Sequence, residues 1–237
     1  MKDGLVVLDK VSYGYSPERP VLARCSFQLD ANERVGLVGT NGSGKTTVLK
    51  LIVGLLKPTS GHVRIFGQPC CNERDFREVR RRVGFLFQDS DDQLFCPTVA
   101  EDVAFGPLNM GKSREEVRRI VSRTLSLLGL GGFETRITYK LSGGEKRMVA
   151  LAAVLAMLPE VLLLDEPTAG LDDAAAQHVV DVLAELPQAM VLATHDPRLL
   201  GGLVNRSLRL TAGRFTPESS RDWAANPAVR SARQQTA

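Results

Sequence analysis

The chain alternates between short apolar runs and longer segments with helical periodicity. Three runs, at residues 35–38, 161–164 and 190–193, are unbroken, and each ends abruptly at polar residues. Short unbroken apolar runs are typical of parallel strands that are buried on both faces. The pattern therefore predicts three strands of a parallel sheet.

Helical segments are predicted at residues 45–53 and 114–128, where apolar side chains of the second recur at three- and four-residue spacing on one face. Near the start of the chain, apolar stretches at residues 5–8 and 21–29 flank a segment rich in Gly, Pro and Ser at 14–20. Such an arrangement predicts an antiparallel β-layer whose strands are joined by a turn at 14–20.

Composition narrows the classes of protein. With 237 residues, of which 43% are hydrophobic, the chain is long enough for one large α/β domain or for a core domain with a small inserted subdomain. A formal charge of +3 is too slight to argue for nucleic acid as the main partner. The longest apolar stretch, residues 148–158, is far shorter than the roughly 20 residues of a membrane-spanning helix. Since we also see no secretory signal, we expect a cytosolic location and a peripheral membrane role.

The cysteines show neither CxxC nor Cys/His ligand spacing, so we expect free thiols rather than disulfides or a zinc site. They are Cys25, Cys70, Cys71 and Cys96. Residues 216–237 are polar and have no periodicity. We expect this segment to be a disordered tail.

A glycine-rich loop follows the first apolar run and precedes the first helix, and its spacing matches the phosphate-loop pattern. Its glycines let backbone N–H groups surround phosphate oxygens, Lys45 should reach the β- and γ-phosphates, and the Thr46 hydroxyl should ligate Mg²⁺. The residues expected to contact nucleotide here are Gly39, Asn41, Gly42, Ser43, Gly44, Lys45, Thr46 and Thr47. The alternative is a flexible loop without a ligand.

Two carboxylates and a histidine follow the other two apolar runs. Asp165 and Glu166 come directly after residues 161–164, and His195 follows 190–193. Because carboxyl ends of parallel strands share one sheet edge, these groups should converge on the phosphate loop. Asp165 is then the candidate Mg²⁺ ligand and Glu166 the candidate general base. An acidic helix start and a structural histidine are the alternatives.

A third motif, Leu-Ser-Gly-Gly-Glu at residues 141–145, opens an apolar helix. A Ser-x-x-Glu capping box explains Ser142 and Glu145 without any function. It does not explain Gly143 and Gly144, because adjacent glycines cost helix stability unless their bare backbone approaches something closely. An anion at the helix N-terminus is a candidate.

The order of these motifs resembles the ATP-binding-cassette family over about residues 5–214. The resemblance implies that Gln88 senses Mg²⁺ and the attacking water, that residues 169–172 form the D-loop and that His195 is the switch histidine. Tyr15 is similar to the aromatic residue that stacks on adenine, with Tyr13 as a nearby competitor. ATP and Mg²⁺ are the implied cofactors.

The implied fold is a phosphate-loop, mostly parallel α/β sheet with an N-terminal antiparallel β-layer. The cassette should span residues 1–215, with an α-helical subdomain inserted at about 90–158. The family also implies a head-to-tail dimer of identical or different ATPase subunits. In that dimer the residues Ser142, Gly143 and Gly144 of one subunit close on the ATP bound by the other.

Residues 87–95 and 98–107 resemble the energy-coupling-factor importers, in which paired ATPases drive an integral-membrane scaffold and a substrate-specific subunit from the cytoplasmic face. Residues 143–147 and 154–157 resemble the cobalt and nickel members, which favours cobalt uptake. A vitamin importer, such as one for biotin, is the alternative. Three other classes fit less well. A DNA-repair ATPase would have a long coiled-coil insertion between the phosphate loop and the Leu-Ser-Gly-Gly-Glu motif, and a ribosome-associated ATPase would normally have two cassettes in one chain. A small-molecule kinase would have no use for that motif or for the switch histidine.

Overall fold

The chain divides into two compact units, which are described separately. In this computed structural model the first unit comprises residues 1–80 and 187–237, and the second comprises residues 81–186. The structure describes residues 4–16 and 18–218.

The first unit contains an antiparallel sheet in the order β2-β1-β4-β5. Its strands are β1 (Val6–Ser16), β2 (Arg19–Leu29), β4 (Ser60–Ile65) and β5 (Gln68–Pro69). The predicted antiparallel layer is present, but the turn predicted at 14–20 is mostly strand, because Gly14 pairs with Pro20 and Ser16 pairs with Arg19. Pro20 is tolerated there because β2 is an edge strand.

A second set of strands in this unit lies in the order β10-β9-β3-β8. It consists of β3 (Arg34–Val38), β8 (Ala189–Ala193), β9 (Arg206–Thr211) and β10 (Arg214–Glu218). β3 is parallel to both β8 and β9, whereas β10 is antiparallel to β9. Strands β3 and β8 are almost wholly buried, as expected from their unbroken apolar sequences.

Strand β10 corrects the predicted start of the polar tail. Residues 216–218 pair with β9 instead of being disordered, and the Phe215 ring lies 5.9 Å from the Phe27 ring between centroids. The contact between Phe215 and Phe27 and the hydrogen bonds to β9 stabilise β10, although the polar sequence of β10 did not indicate a strand. The rest of the expected tail, residues 219–237, lies outside the described residues.

Three helices accompany these strands or lead out of the unit. They are α1 (Lys45–Ile52), α2 (Glu73–Arg82) and α7 (Pro197–Gly202). Helix α1 begins where the sequence predicted it and buries Val48, Leu49 and Leu51.

The second unit is mainly helical around a pair of parallel strands. The strands are β6 (Val83–Leu86) and β7 (Val161–Asp165), and the helices are α3 (Val99–Asn109), α4 (Arg114–Leu127), a 3₁₀ turn (Thr138–Lys140), α5 (Gly143–Ala156) and α6 (Asp173–Glu185). This unit is larger than the subdomain predicted at 90–158, since it also contains β6, β7 and α6.

Capping boxes begin three of these helices. The serine or threonine side chain accepts a hydrogen bond from the backbone of a glutamate three residues later, and that glutamate accepts one in return. The pairs are Thr98 with Glu101, Ser113 with Glu116, and Ser142 with Glu145. Each helix start is therefore fixed by local sequence.

Within residues 4–16 and 18–218 we find no helix that is both long and apolar enough to cross a bilayer. All four cysteines are free; Cys25 and Cys70 are buried, Cys96 is half-buried and Cys71 is exposed.

Candidate functional site

The glycine-rich loop connects β3 to α1 in the first unit. Gly44 caps the helix with a φ of 107°, a conformation that side chains rarely adopt. A Cβ atom at Gly44 would also lie 2.8 Å from Cγ1 of Val21. The position therefore requires glycine for both its backbone conformation and the space around it. The loop thus has a defined conformation and is not a flexible connection.

Two side chains in the loop bear on anion binding. Lys45 is buried, and its Nζ donates to the carbonyl oxygens of Gly39 at 2.8 Å and Thr40 at 3.3 Å. The Ser43 hydroxyl is buried and has no hydrogen-bond partner in the part of the chain that the structure describes. A buried cation and an unpaired hydroxyl suit a phosphate group, so the donor set fits the ligand that the motif predicts.

Tyr15 lies beside the first turn of α1. Its hydroxyl is 3.2 Å from Oγ1 of Thr47, which is itself buried. The Tyr15 side chain is 61% exposed, and its ring meets that of Tyr13 edge-on with 5.2 Å between centroids. Of the two candidate aromatic residues, Tyr15 is the one hydrogen-bonded to the phosphate-loop helix and open to solvent.

His195 follows the strand next to the phosphate loop. In the parallel pair of β3 and β8, Leu37 is opposite Ala193, and the backbone N–H of Thr194 donates to Leu37 O at 3.3 Å. The loop and His195 therefore leave neighbouring strands at the same edge. The His195 side chain is exposed there.

The second unit repeats this arrangement with β6 and β7. Leu86 of β6 pairs with Leu164 of β7. Gln88, which follows β6, and the two carboxylates at the end of β7 therefore lie at the same end of this strand pair. Asp165 is 1% exposed and Glu166 is 9% exposed, whereas Gln88 is exposed. Glu166 has a φ of 50°, which is unusual for a residue other than glycine and occurs often at functional sites.

The helix start at Ser142 is a complete capping box. Ser142 N–H donates to Glu145 Oε2 at 2.8 Å, and Glu145 N–H donates to Ser142 Oγ at 3.2 Å. The Ser142 backbone hydrogen bond, with smaller contributions from its side chain and Arg136, lowers the pKa of Glu145. The structural explanation for Ser142 and Glu145 is therefore sufficient within this chain.

The two glycines differ from each other. A Cβ atom at Gly144 would lie 3.3 Å from the carbonyl oxygen of Gly170 in the expected D-loop, which is a tight contact. Apart from its chain neighbours and the backbone of its own helix, a Cβ at Gly143 would have no atom of the described chain within 4 Å. Both line an open groove of about 660 Å³, together with Ser142 and residues 170–172. Packing within the chain thus explains Gly144 but not Gly143.

Sequence reasoning missed one residue of this region, Arg147. Its side chain is 3% exposed in the first half of α5, and it donates to the carbonyl oxygens of Gln88 and Glu166. The available signal was a charged residue directly before the longest apolar run of the chain, residues 148–158. A charge in that position is seldom buried without partners.

The predicted site residues thus form two groups. The first unit holds Tyr15, residues 39–47 and His195, and the second holds Gln88, residues 142–144, Asp165 and Glu166. Apart from Tyr15, which lies in the antiparallel strand β1, each group lies at or beyond the carboxyl ends of parallel strands or at a helix N-terminus, where phosphate and metal ligands are usually bound.

Comparison with known proteins identifies the family. The sequence profile described as "ABC transporter" matches residues 22–169. A putative ABC transporter ATP-binding protein of Brucella suis is 50% identical over 213 residues, which cover 90% of this chain and 88% of the relative. The energy-coupling factor transporter ATP-binding protein EcfA of Methanocaldococcus jannaschii is 41% identical, over 88% of this chain and 76% of its own length.

A solved structure gives the same result. CbiO1 from Clostridium perfringens, described as part of the ABC transporter complex cbiONQ, superposes with a TM-score of 0.83 and 31% identity, covering 99% of this chain and 96% of that one. The predicted α/β fold class is thereby confirmed. The chain belongs to the ABC transporter family, and it is similar to the ATP-binding subunits of energy-coupling-factor transporters.

Proposed function

We propose that this chain is the ATP-hydrolysing subunit of an energy-coupling-factor importer. Membership of the family implies ATP binding and hydrolysis. The observation that carries the proposal is Gly143, a helix-start glycine for which packing within the described chain gives no reason. Phosphate-loop kinases have no use for such a position, whereas a cassette uses it against the nucleotide of a second subunit.

ATP would be held mainly by the phosphate loop. Backbone N–H groups of Gly42 and Gly44, the Lys45 ammonium and the Ser43 hydroxyl supply positive or donor groups to phosphate oxygens. Tyr15 offers an exposed ring for the base to stack on. Its hydroxyl contact with Thr47 keeps that ring beside the phosphate-binding helix.

The resemblance assigns Mg²⁺ to oxygen ligands from Thr46, Gln88 and Asp165, which are the kinds of group that this ion prefers. When bound, Mg²⁺ neutralises charge on the β- and γ-phosphates. Asp165, which ends β7 and is 1% exposed, supplies a carboxylate of the kind that this ion prefers.

Glu166 is the proposed general base, and it would accept a proton from the water that attacks the γ-phosphate. Its left-handed backbone is held by a hydrogen bond from Ala169 N–H to Glu166 O at 3.0 Å. His195 would contact the γ-phosphate, and Gln88 would orient the water. These two roles come from the family resemblance.

The proposed working form is a head-to-tail dimer with an identical or a related ATPase subunit. Ser142, Gly143 and Gly144 would then face the γ-phosphate held by the partner subunit. The open groove at these residues leaves room for that approach. ATP would join the two subunits, and its hydrolysis would release them and shift the membrane partner between conformations.

For the cargo we propose cobalt or nickel ions, on the resemblance of residues 143–147 and 154–157 to the ATPases of such importers. The likeness to CbiO1, which is described as part of the ABC transporter complex cbiONQ, supports a chain that works together with other transporter subunits. The partners would be an integral-membrane scaffold and a substrate-specific subunit, with this chain bound at the cytoplasmic face. A vitamin such as biotin is the alternative cargo.

Hydrolysis is tested with Glu166→Gln, which keeps the size of the side chain but cannot accept the proton. We expect ATPase turnover to fall by about 10²- to 10⁴-fold while ATP affinity is retained. Turnover is measured by phosphate release and affinity by calorimetry. Near-normal turnover would remove Glu166 from the role of base.

The cargo is tested in the native host. Tagged wild-type chain is purified with its membrane proteins, and uptake of radioactive cobalt, nickel and biotin is compared in cells that carry wild type or Glu166→Gln. Loss of cobalt or nickel uptake alone supports the proposal. Loss of biotin uptake alone assigns the vitamin, and a chain that retains no membrane protein contradicts the importer.

A further inference from the structure

Arg147 is a buried cation whose hydrogen bonds all go to backbone carbonyl groups of the described chain. Nη1 donates to Phe87 O and, at 3.1 Å, to Gln88 O. Nη2 donates to Asp165 O and, at 2.6 Å, to Glu166 O. Nη1 therefore donates to the segment that follows β6, and Nη2 donates to the segment at the end of β7.

This arrangement is costly for a residue with only a structural role. Burial lowers the pKa of Arg147 to about 10, although the carboxylates of Asp165, Glu166 and Asp89 partly oppose that shift. Its Nε is also buried and has no partner among the residues described. Apolar residues of similar volume often replace buried charges without loss of stability. The guanidinium therefore has a use beyond filling space.

The bonded carbonyl groups belong to the peptide units that orient two proposed functional side chains, Gln88 and Glu166. Glu166 has a φ of 50°, in the left-handed region that is unfavourable for a residue other than glycine. Such conformations persist only where the surroundings enforce them. One Arg147 nitrogen holds the carbonyl of that residue directly.

We propose that Arg147 is a positioning residue that fixes the backbone of Gln88 and Glu166 relative to helix α5. The same helix begins with the motif Ser142, Gly143 and Gly144. The inference rests on the proposed function, because those side chains matter only if the chain hydrolyses ATP. Arg147 itself would not contact nucleotide; it would make the helix start and the two segments move as one body.

The first test measures backbone order in nucleotide-free protein by hydrogen–deuterium exchange with mass spectrometry. Arg147→Met keeps an unbranched side chain comparable to the aliphatic part of arginine but donates no hydrogen bond. We expect exchange in peptides covering 86–89 and 165–168 to be faster by about fivefold or more, with α3 and α4 unchanged. Arg147→Lys keeps the charge with one nitrogen, and we expect it to protect one of the two segments.

The second test separates binding from turnover. We expect Arg147→Met to lower kcat by about 10²-fold, since small displacements of catalytic groups cost about that much, and to leave ATP affinity unchanged. Arg147→Lys should recover part of kcat.

The matched control is Arg82→Met. Arg82 forms a bidentate pair with Glu160 at the opposite ends of the same two strands, with 2.6 Å from Nε to Oε1 and 2.8 Å from Nη2 to Oε2. Its loss should leave kcat unchanged. An equal loss of kcat in Arg82→Met and Arg147→Met would reduce Arg147 to general support of the strand pair and overturn the proposal.

Unchanged exchange in both segments of Arg147→Met would also overturn the proposal. If Arg147→Met does not fold, Arg147→Lys decides: wild-type exchange and wild-type kcat in that variant overturn it. A wild-type chain without ATPase activity refutes the proposed function instead. That failure is distinguishable, because the exchange experiment needs no nucleotide.

Discussion

Gly143→Ala separates the stability of this chain from its activity. Gly143 is the first residue of α5, and it is not among the residues with positive φ. Apart from its chain neighbours and the backbone of its own helix, a methyl group there would meet no atom of the described chain within 4 Å. Alanine should therefore fit this subunit without strain, and the substitution should affect only what approaches from outside.

The expected gain in stability follows from helix propensity. Replacing glycine by alanine within a helix stabilises by about 0.5–1 kcal/mol. For a chain of this length that gain raises the melting temperature by about 1–4 °C. Activity should move in the opposite direction, with kcat lower by about 10²-fold, if the bare backbone of Gly143 must approach the partner's nucleotide.

The assays are urea unfolding followed by circular dichroism, and steady-state phosphate release. Gly131→Ala is the matched control, because Gly131 is exposed, lacks a positive φ and also has open space at its Cβ. That control should keep wild-type kcat. A Gly143→Ala protein that is more stable and fully active would refute the argument that a ligand of a second subunit approaches this glycine.

Three further results are expected. Lys45→Ala should weaken ATP binding by about tenfold or more in calorimetry, because a charged hydrogen bond to phosphate is lost; unchanged affinity would contradict the phosphate-loop assignment. Asp102 is buried and accepts hydrogen bonds from the Phe95 and Cys96 backbone and from the Thr138 hydroxyl, so Asp102→Ala should cost about 3 kcal/mol in urea unfolding and Asp102→Asn less. An equal cost for both would show that these bonds do not matter. Burial, and secondarily Asp102, raises the pKa of Cys96 to about 11. Alkylation of Cys96 by iodoacetamide, followed by peptide mass spectrometry, should therefore accelerate about tenfold per pH unit between pH 8 and 10. A rate that reaches a plateau below about pH 9 would contradict this pKa.

The sequence predicted the buried strands and helix starts closely. The runs at 35–38, 161–164 and 190–193 each lie within an observed strand and miss one residue. A strand that is buried on both faces must be apolar throughout, so its limits are visible in the sequence. Strand β10 was missed for the opposite reason: it is polar, and its pairing with β9 is decided by tertiary structure.

The candidate site divides in the same way. Gly44 and the capping box at Ser142 were predictable, because the loop spacing and the capping hydrogen bonds depend only on residues that are close in the sequence. Arg147 was not, since its partners are carbonyl groups, which every residue possesses. Only the folded chain shows which carbonyl groups lie within reach of a guanidinium.

Two arginines of the second unit, Arg82 and Arg147, have a mechanical consequence. Arg82 joins β6 to β7 at one end of the pair through Glu160, and Arg147 joins the segments that follow both strands at the other end. Parallel strands fastened at both ends cannot slide in register, so they should open only together, as one cooperative unit in hydrogen exchange. Any hinge in this part of the chain must then lie beyond the strands, in the loops at 89–97 and 167–172.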